Sequence, residues 1–222
     1  MLYTTGDTHR HLDIHKLDVK YLSQKDYVIV TGDFGLVWNE DDQEIYWRNW
    51  LNDKSFTTLF VDGNHENHEL LNQYEVKEWK GGKVHFISDS IIHLMRGQVY
   101  NIDGRKIFTM GGARSIDQHL RIEGVSWWRD EMPSHGEFEE AMSNLDRHDW
   151  KVDFVFTHTT SNKIMQKLKD IKDIKETTPL NNFFDLLEEK LTYWHWYFGH
   201  FHNDLKIDEK HTLVYKKIIK IF

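Results

Sequence analysis

The sequence reads as an α/β protein, and three features of its patterning lead there. Over the first third, short β-branched apolar runs alternate with stretches of helical spacing, the rhythm of a parallel sheet with crossover helices. Between residues 84 and 110 the rhythm changes to short strands in close succession, an antiparallel meander. Side chains suited to chemistry fall just after apolar strand-like runs, where α/β sheets place their sites.

The elements follow in order. Leu2–Thr5 is a short strand, and Asp13–Leu22 has helical spacing. Tyr27–Thr31 is β-branched and bounded by turn signals, a buried strand. Asp41–Asn52 is a helix: its acidic start suits a helix N-terminus, and Trp47, Trp50 and Leu51 share one face. Thr57–Val61 is the third strand. Val84–Ile87, Ile91–Leu94, Gln98–Ile102 and Lys106–Met110 make the meander, with Asp103-Gly104 a two-residue hairpin signal. Gly111–Pro133, rich in Gly, Arg and Trp, is a long functional loop. Ser134-His135-Gly136-Glu137 fits a capping box opening a helix to about Leu145. Phe154–Thr157 is a buried strand, Ile164–Lys172 and Asn182–Leu191 are helices, and Tyr193–Phe198 and Leu213–Phe222 are closing strands.

No repeat, low-complexity tract or Pro/Gly/Ser linker divides the 222 residues, so one domain over residues 1–222 is expected. The net charge of −8 repels nucleic acid at long range, which disfavours a polyanionic partner without removing it. With no cysteine, disulfides and thiolate metal sites are excluded. No basic and apolar leader opens the chain and no run is long enough to span a bilayer, so the expectation is a soluble, cytoplasmic protein with no membrane partner. Nine tryptophans point first to core packing and only then to stacking surfaces. Nothing in the sequence sets the oligomeric state.

Five short blocks carry the chemistry: Asp7-x-His9, Gly32-Asp33, Gly63-Asn64-His65-Glu66, Thr157-His158 and Gly199-His200-x-His202. A single Gly-Asp is usually a turn and a lone histidine usually a core or surface residue. Their joint occurrence, each at a strand end, supplies carboxylate, amide and imidazole donors from five distant segments to one pocket.

In this order the blocks resemble the calcineurin-like metallophosphoesterases, and they run from residue 6 to residue 202. The resemblance implies a four-layer α/β sandwich of two mixed β-sheets flanked by helices. It implies that Asp7, His9 and His202 hold one divalent cation, that Asn64, His158 and His200 hold a second, and that Asp33 bridges both. Oxygen and nitrogen donors without sulfur suit Mn²⁺, taken first, or Fe, Zn, Ni or Co. The implied activity is phosphomonoester or phosphodiester hydrolysis by a hydroxide bridging the metals, on a small-molecule or nucleotide substrate. His65, next to a ligand but not itself one, is assigned as the general acid that protonates the leaving oxygen. Glu66 is expected to cap the helix beginning near Asn67.

Two departures from the family pattern stand out. Arg10 replaces the usual glycine after Asp-x-His, where a guanidinium could reach the substrate phosphate or simply face solvent. Gly32-Asp33-Phe34-Gly35-Leu36 lacks the second carboxylate of Gly-Asp-x-x-Asp, for which Asn39 or Glu40 would substitute. Within the long loop, Arg114 is the second candidate for phosphate binding, while Trp127 and Trp128 read as anchors. The rival readings are a nuclease, for which no extra DNA-binding region is visible, and a protein phosphatase, for which the second block lacks an arginine. A non-catalytic scaffold would lack ligands, and all seven are present.

Overall fold

The computed structural model describes residues 1–168 and 177–222. Its strands are β1 (Leu2–Thr5), β2 (Tyr27–Thr31), β3 (Thr57–Val61), β4 (Val76–Trp79), β5 (Gly82–Ser88), β6 (Ile91–Leu94), β7 (Gln98–Ile102), β8 (Arg105–Met110), β9 (Phe154–Thr157), β10 (His195–Phe198), β11 (Leu205–Lys206), β12 (His211–Leu213) and β13 (Ile219–Lys220). The helices are α1 (Asp42–Asn52), α2 (His68–Leu71), α3 (His135–Arg147), α4 (Asn162–Leu168) and α5 (Pro179–Lys190).

The strands form two mixed sheets, ordered β13-β1-β2-β3-β6-β5-β4 and β11-β12-β10-β9-β8-β7. In the first, β1, β2, β3 and β6 are parallel and the outer strands antiparallel. In the second, β8, β9, β10 and β12 are parallel. The two-residue period of a strand sorts side chains into separate cores. Ile29, Leu59 and Ile92 of one sheet meet Ile107, Phe156 and Tyr197 of the other in the layer between them. Val28, Val30 and Phe60 turn outward to Leu51 of α1. Phe108, Val155, Trp196 and Phe198 turn outward to Ala141, Leu145, Phe184 and Leu187 of α3 and α5. The result is helix, sheet, sheet, helix, the four layers expected. Among the described residues, no helix is long and apolar enough to cross a membrane.

Several elements differ from the sequence expectation. The meander is broken: β6 pairs with β3 in one sheet and β7 with β8 in the other, the chain crossing between them at Gly97, whose φ is +71°. The Asp103-Gly104 hairpin joins β7 to β8 as expected, with φ of +50° and +80°. Asp13–Leu22 holds only a 3₁₀ turn, Ile14–Leu17, because an i, i+3 spacing already buries both end residues. Leu213–Phe222 is split into β12 and β13, since the Asp204 carboxylate accepts from the amides of Tyr215, Lys216 and Lys217 and bends the chain there. The edge strand β4 was not anticipated; its first three residues are exposed and patterned like no buried strand. α5 starts at Pro179, three residues early, behind a Thr178–Asn181 capping box. α3 has the expected Ser134–Glu137 box. The expected helix Ile164–Lys172 is seen as α4, and its residues 169–172 lie outside the described residues.

Candidate metal centre

β1, β2, β3, β9 and β10 end at the same edge of the layered sheets, and each releases one block into the loop that follows. The seven expected ligands converge there. The donor atoms of Asp7, His9, Asp33 and His202 lie within 4.8 Å of one another, and so do those of Asp33, His158 and His200. Asp33 belongs to both sets, and its two oxygens divide between them: Oδ2 is 3.4 Å from His9 Nε2 and Oδ1 is 3.3 Å from His158 Nε2. Asn64 Oδ1 adds an amide oxygen 3.1 Å from His158 Nε2, and His200 Nδ1 lies 3.2 Å from that same nitrogen.

Local backbone shape puts the ligands there. Among the described residues, four of the ten non-glycine residues at positive φ are His9, Asp33, His200 and His202. A left-handed conformation costs each of them about 1–3 kcal/mol, and such strain persists where function requires it. The motif glycines make room for the ligands themselves. A methyl group on Gly63 would collide with Asp33 Oδ1, and one on Gly199 with Asp7 Oδ1.

Neighbouring groups fix the orientation of each ligand. Thr31 O, which can only accept, is 2.8 Å from His158 Nδ1; that nitrogen therefore carries a proton and Nε2 faces the pocket. Asp13 Oδ2 stands 3.6 Å from His9 Nδ1 and accepts from the Tyr215 hydroxyl at 2.8 Å, while the Tyr215 ring stacks on His202. The His200 amide donates to both Asp7 oxygens. The Lys16 ammonium binds the carbonyls of Gly6, Asp7 and Tyr215 at 2.6–2.8 Å, tying the first block to the last turn of the chain. Asn64 Nδ2 donates to Ser115 Oγ at 3.1 Å, which leaves Oδ1 for the pocket. Ser115 is held in turn by buried Glu131 through its amide.

The charges complement one another. Burial lowers the basicity of His158, but Asp33 and Asp7 outweigh it and lift the imidazole to about 10. His9 is raised against its own burial by Asp33. Asp33 is held well below the usual carboxylate range, burial opposing and His158 prevailing. Burial pushes His200 down to about 3, with His158 adding to the effect. Clustered carboxylates that stay ionised beside histidines of raised basicity form a site suited to a cation. The donors, all oxygen or nitrogen, suit divalent cations, and Asp33 is common to both groups. Asp7 and His158 are fully buried whereas the His202 side chain is 43% exposed, so the pocket opens on the His202 side.

Other expectations land elsewhere. Glu66 does not cap α2; Asn67 does, accepting from Leu70 N at 2.9 Å. The buried Glu66 carboxylate instead accepts from Phe34 N and Gly35 N, backbone donors of the Asp33 turn that no strand pairs. It thereby supplies the support expected of Asn39 or Glu40. Asn39 accepts from Arg10, and Glu40 pairs at 3.9 Å with Arg48. The Arg10 guanidinium is held by Asp41, Asn39 and Glu44. Arg114 is exposed and adjoins Ser115. Arg121 reaches the Asn64-His65 segment, with Nη1 3.1 Å from His65 Nδ1. Trp128 is buried edge-on against Trp38, an anchor as expected. The His65 amide donates to Asp33 Oδ1 at 2.8 Å, and its ring lies 5.8 Å from that of His9. Burial holds the His65 imidazole below its ordinary value; Asp33 opposes this and Arg121 reinforces it.

Comparison with known proteins gives the family. Residues 2–204 match the family described as calcineurin-like phosphoesterase. No curated protein matches the chain. Among solved structures, a phosphopantetheinyl hydrolase from Mycobacterium tuberculosis is similar at 18% identity and a TM-score of 0.48, over 97% of this chain and 89% of that one. The chain belongs to the calcineurin-like phosphoesterase family and is a metal-dependent phosphoester hydrolase.

Proposed function

We propose that the chain hydrolyses a phosphomonoester or phosphodiester of a small molecule or nucleotide with two divalent cations. Asp7, His9 and His202 hold one, Asn64, His158 and His200 the other, and Asp33 serves both. The observation that carries this reading is the division of the two Asp33 oxygens between two donor sets. When bound, such cations activate water and neutralise charge developing on the phosphoryl oxygens. Mn²⁺ suits the mixed oxygen and nitrogen donors.

The chain's own residues do the rest. Asp33 and Asp7 keep the pocket anionic enough to hold dications together. Ser115 turns the Asn64 carbonyl inward, and Thr31 O keeps His158 Nε2 facing the pocket. His65, half-buried with its ring 5.8 Å from that of His9, serves the oxygen of the leaving group. The net charge of −8 favours a substrate with few phosphates over a nucleic acid polymer.

The test is an activity screen on metal-free and Mn²⁺-reloaded protein. It would cover p-nitrophenyl phosphate, bis(p-nitrophenyl) phosphate, mononucleotides, cyclic nucleotides, dinucleotides and phosphopeptides. Turnover that returns with Mn²⁺ and is greatest on the small esters is expected. Turnover that survives chelation, or none with any ester, would refute the reading.

A further inference from the structure

Arg121 lies in the loop between β8 and α3, 56 residues from His65 in sequence, yet it touches that ring. It is tightly held: Nε is 2.8 Å from Asp117 Oδ1, and Nη1 is 3.1 Å from both Ser126 O and His65 Nδ1. Its side chain is only 19% exposed. A guanidinium has donors and no acceptor. Nδ1 of His65 must therefore accept, and the single ring proton resides on Nε2.

We propose that Arg121 is a positioning residue for the phosphoester reaction, fixing the ring and tautomer of His65 so that Nε2–H is the donor offered to the leaving oxygen. The inference rests on the assignment of His65 to the leaving group. It also sharpens the acid role expected from the family pattern. With Nδ1 occupied by Arg121, Nε2 is the ring nitrogen left to face the leaving oxygen. As a water oxygen bonds to phosphorus and gives up its proton to solvent, the ester P–O bond breaks and its electron pair passes to the leaving oxygen, which is steadied by Nε2–H and takes a proton from solvent.

Two measurements on the Zn²⁺-loaded protein test this. In ¹⁵N-edited spectra, His65 is expected as the Nε2–H tautomer in the wild type and as a tautomer mixture in Arg121→Ala. In kinetics, Arg121→Ala is expected to lower kcat on the order of 10²-fold with little change in KM, the usual cost of misplacing a reacting group. Adding Arg121→Ala to His65→Ala should cost little more, because the two act as one unit. Arg121→Lys, which keeps one donor, should restore part of the loss, and it supplies the same cycle if the alanine variant does not fold. An Nδ1–H tautomer in the wild type, losses that multiply in the double variant, or unchanged kcat in Arg121→Ala would overturn the proposal. Wild-type inactivity on every ester would sink the proposed function instead, since the tautomer is read independently of turnover.

Discussion

Two buried clusters of histidine and aspartate border the Gly63-Asn64-His65 segment, and they resemble one another in composition far more than in construction. In the metal pocket, Asp7 and Asp33 are held by imidazoles and backbone amides, and the free faces of several ligands point at one another. In the other cluster, His85 Nδ1 contacts His93 Nδ1 at 3.1 Å, and His93 Nε2 contacts Asp62 Oδ1 at 3.2 Å. Arg96 closes that chain on Asp62 Oδ2 with two hydrogen bonds of 2.6 and 2.9 Å. Burial opposes ionisation of Asp62, but Arg96 holds its carboxyl far below the usual range. One cluster brings its own cation, an arginine, and is scaffolding. The other has carboxylates held by backbone amides and by imidazoles, whose protons pass to solvent when a metal binds. Partner supply, more than residue type, separates a site from a buried network.

That contrast can be broken by substitution. Asp33→Asn is expected to have the largest effect on activity, a loss on the order of 10³-fold or more, because charge stabilisation at both donor sets fails together. Elemental analysis should show fewer than two metals per chain, while thermal unfolding stays near that of the wild type. Asp62→Ala should do the reverse to the fold: it removes the nearest carboxylate of buried Arg96, leaving Glu137 and the Asp130 and Glu131 carbonyls, and costs about 3 kcal/mol of stability, read by denaturant unfolding. If Asp62→Ala unfolded no earlier than wild type, its cluster would not be the scaffold described. Ser115→Ala is a finer probe. It frees the Asn64 amide to rotate, and metal affinity should fall about 10- to 100-fold, as is usual for groups that orient ligands.

The smallest expected effect is a proton count. Asp33 and Asp7 lift His158 to about 10 against its burial, so it holds its proton at neutral pH when no metal is present, and Asp33 shifts His9 in the same direction. Metal binding requires the neutral rings, so uptake releases protons and apparent affinity rises with pH. Titration calorimetry in buffers of different ionisation enthalpy measures the release. No buffer dependence at pH 7 would contradict the charge assignment.

Much of this was legible before the structure. Apolar runs such as Tyr27–Thr31 and Phe154–Thr157 announce buried strands, and the blocks behind them announce one pocket of candidate ligands, because strand ends converge. What stayed hidden depends on long-range packing. Nothing local shows that β6 and β7 part into different sheets, since each remains a short apolar strand in either arrangement. Glu66 read as a helix cap because capping is local, whereas its true partners, Phe34 N and Gly35 N, lie more than 30 residues back. Arg121, Ser115 and Tyr215 carry no motif at all. Their roles follow from the loop and the last turn folding over the pocket, and only Arg121 and Ser115 could be suspected, from membership of a Gly-rich, Arg-rich loop.

The central claim is a two-cation site with Asp33 shared. It is tested most directly by elemental analysis of fully active protein after reloading with Mn²⁺ and removal of the excess. Two metal ions per chain are expected, and one or none in a fully active protein would contradict the account.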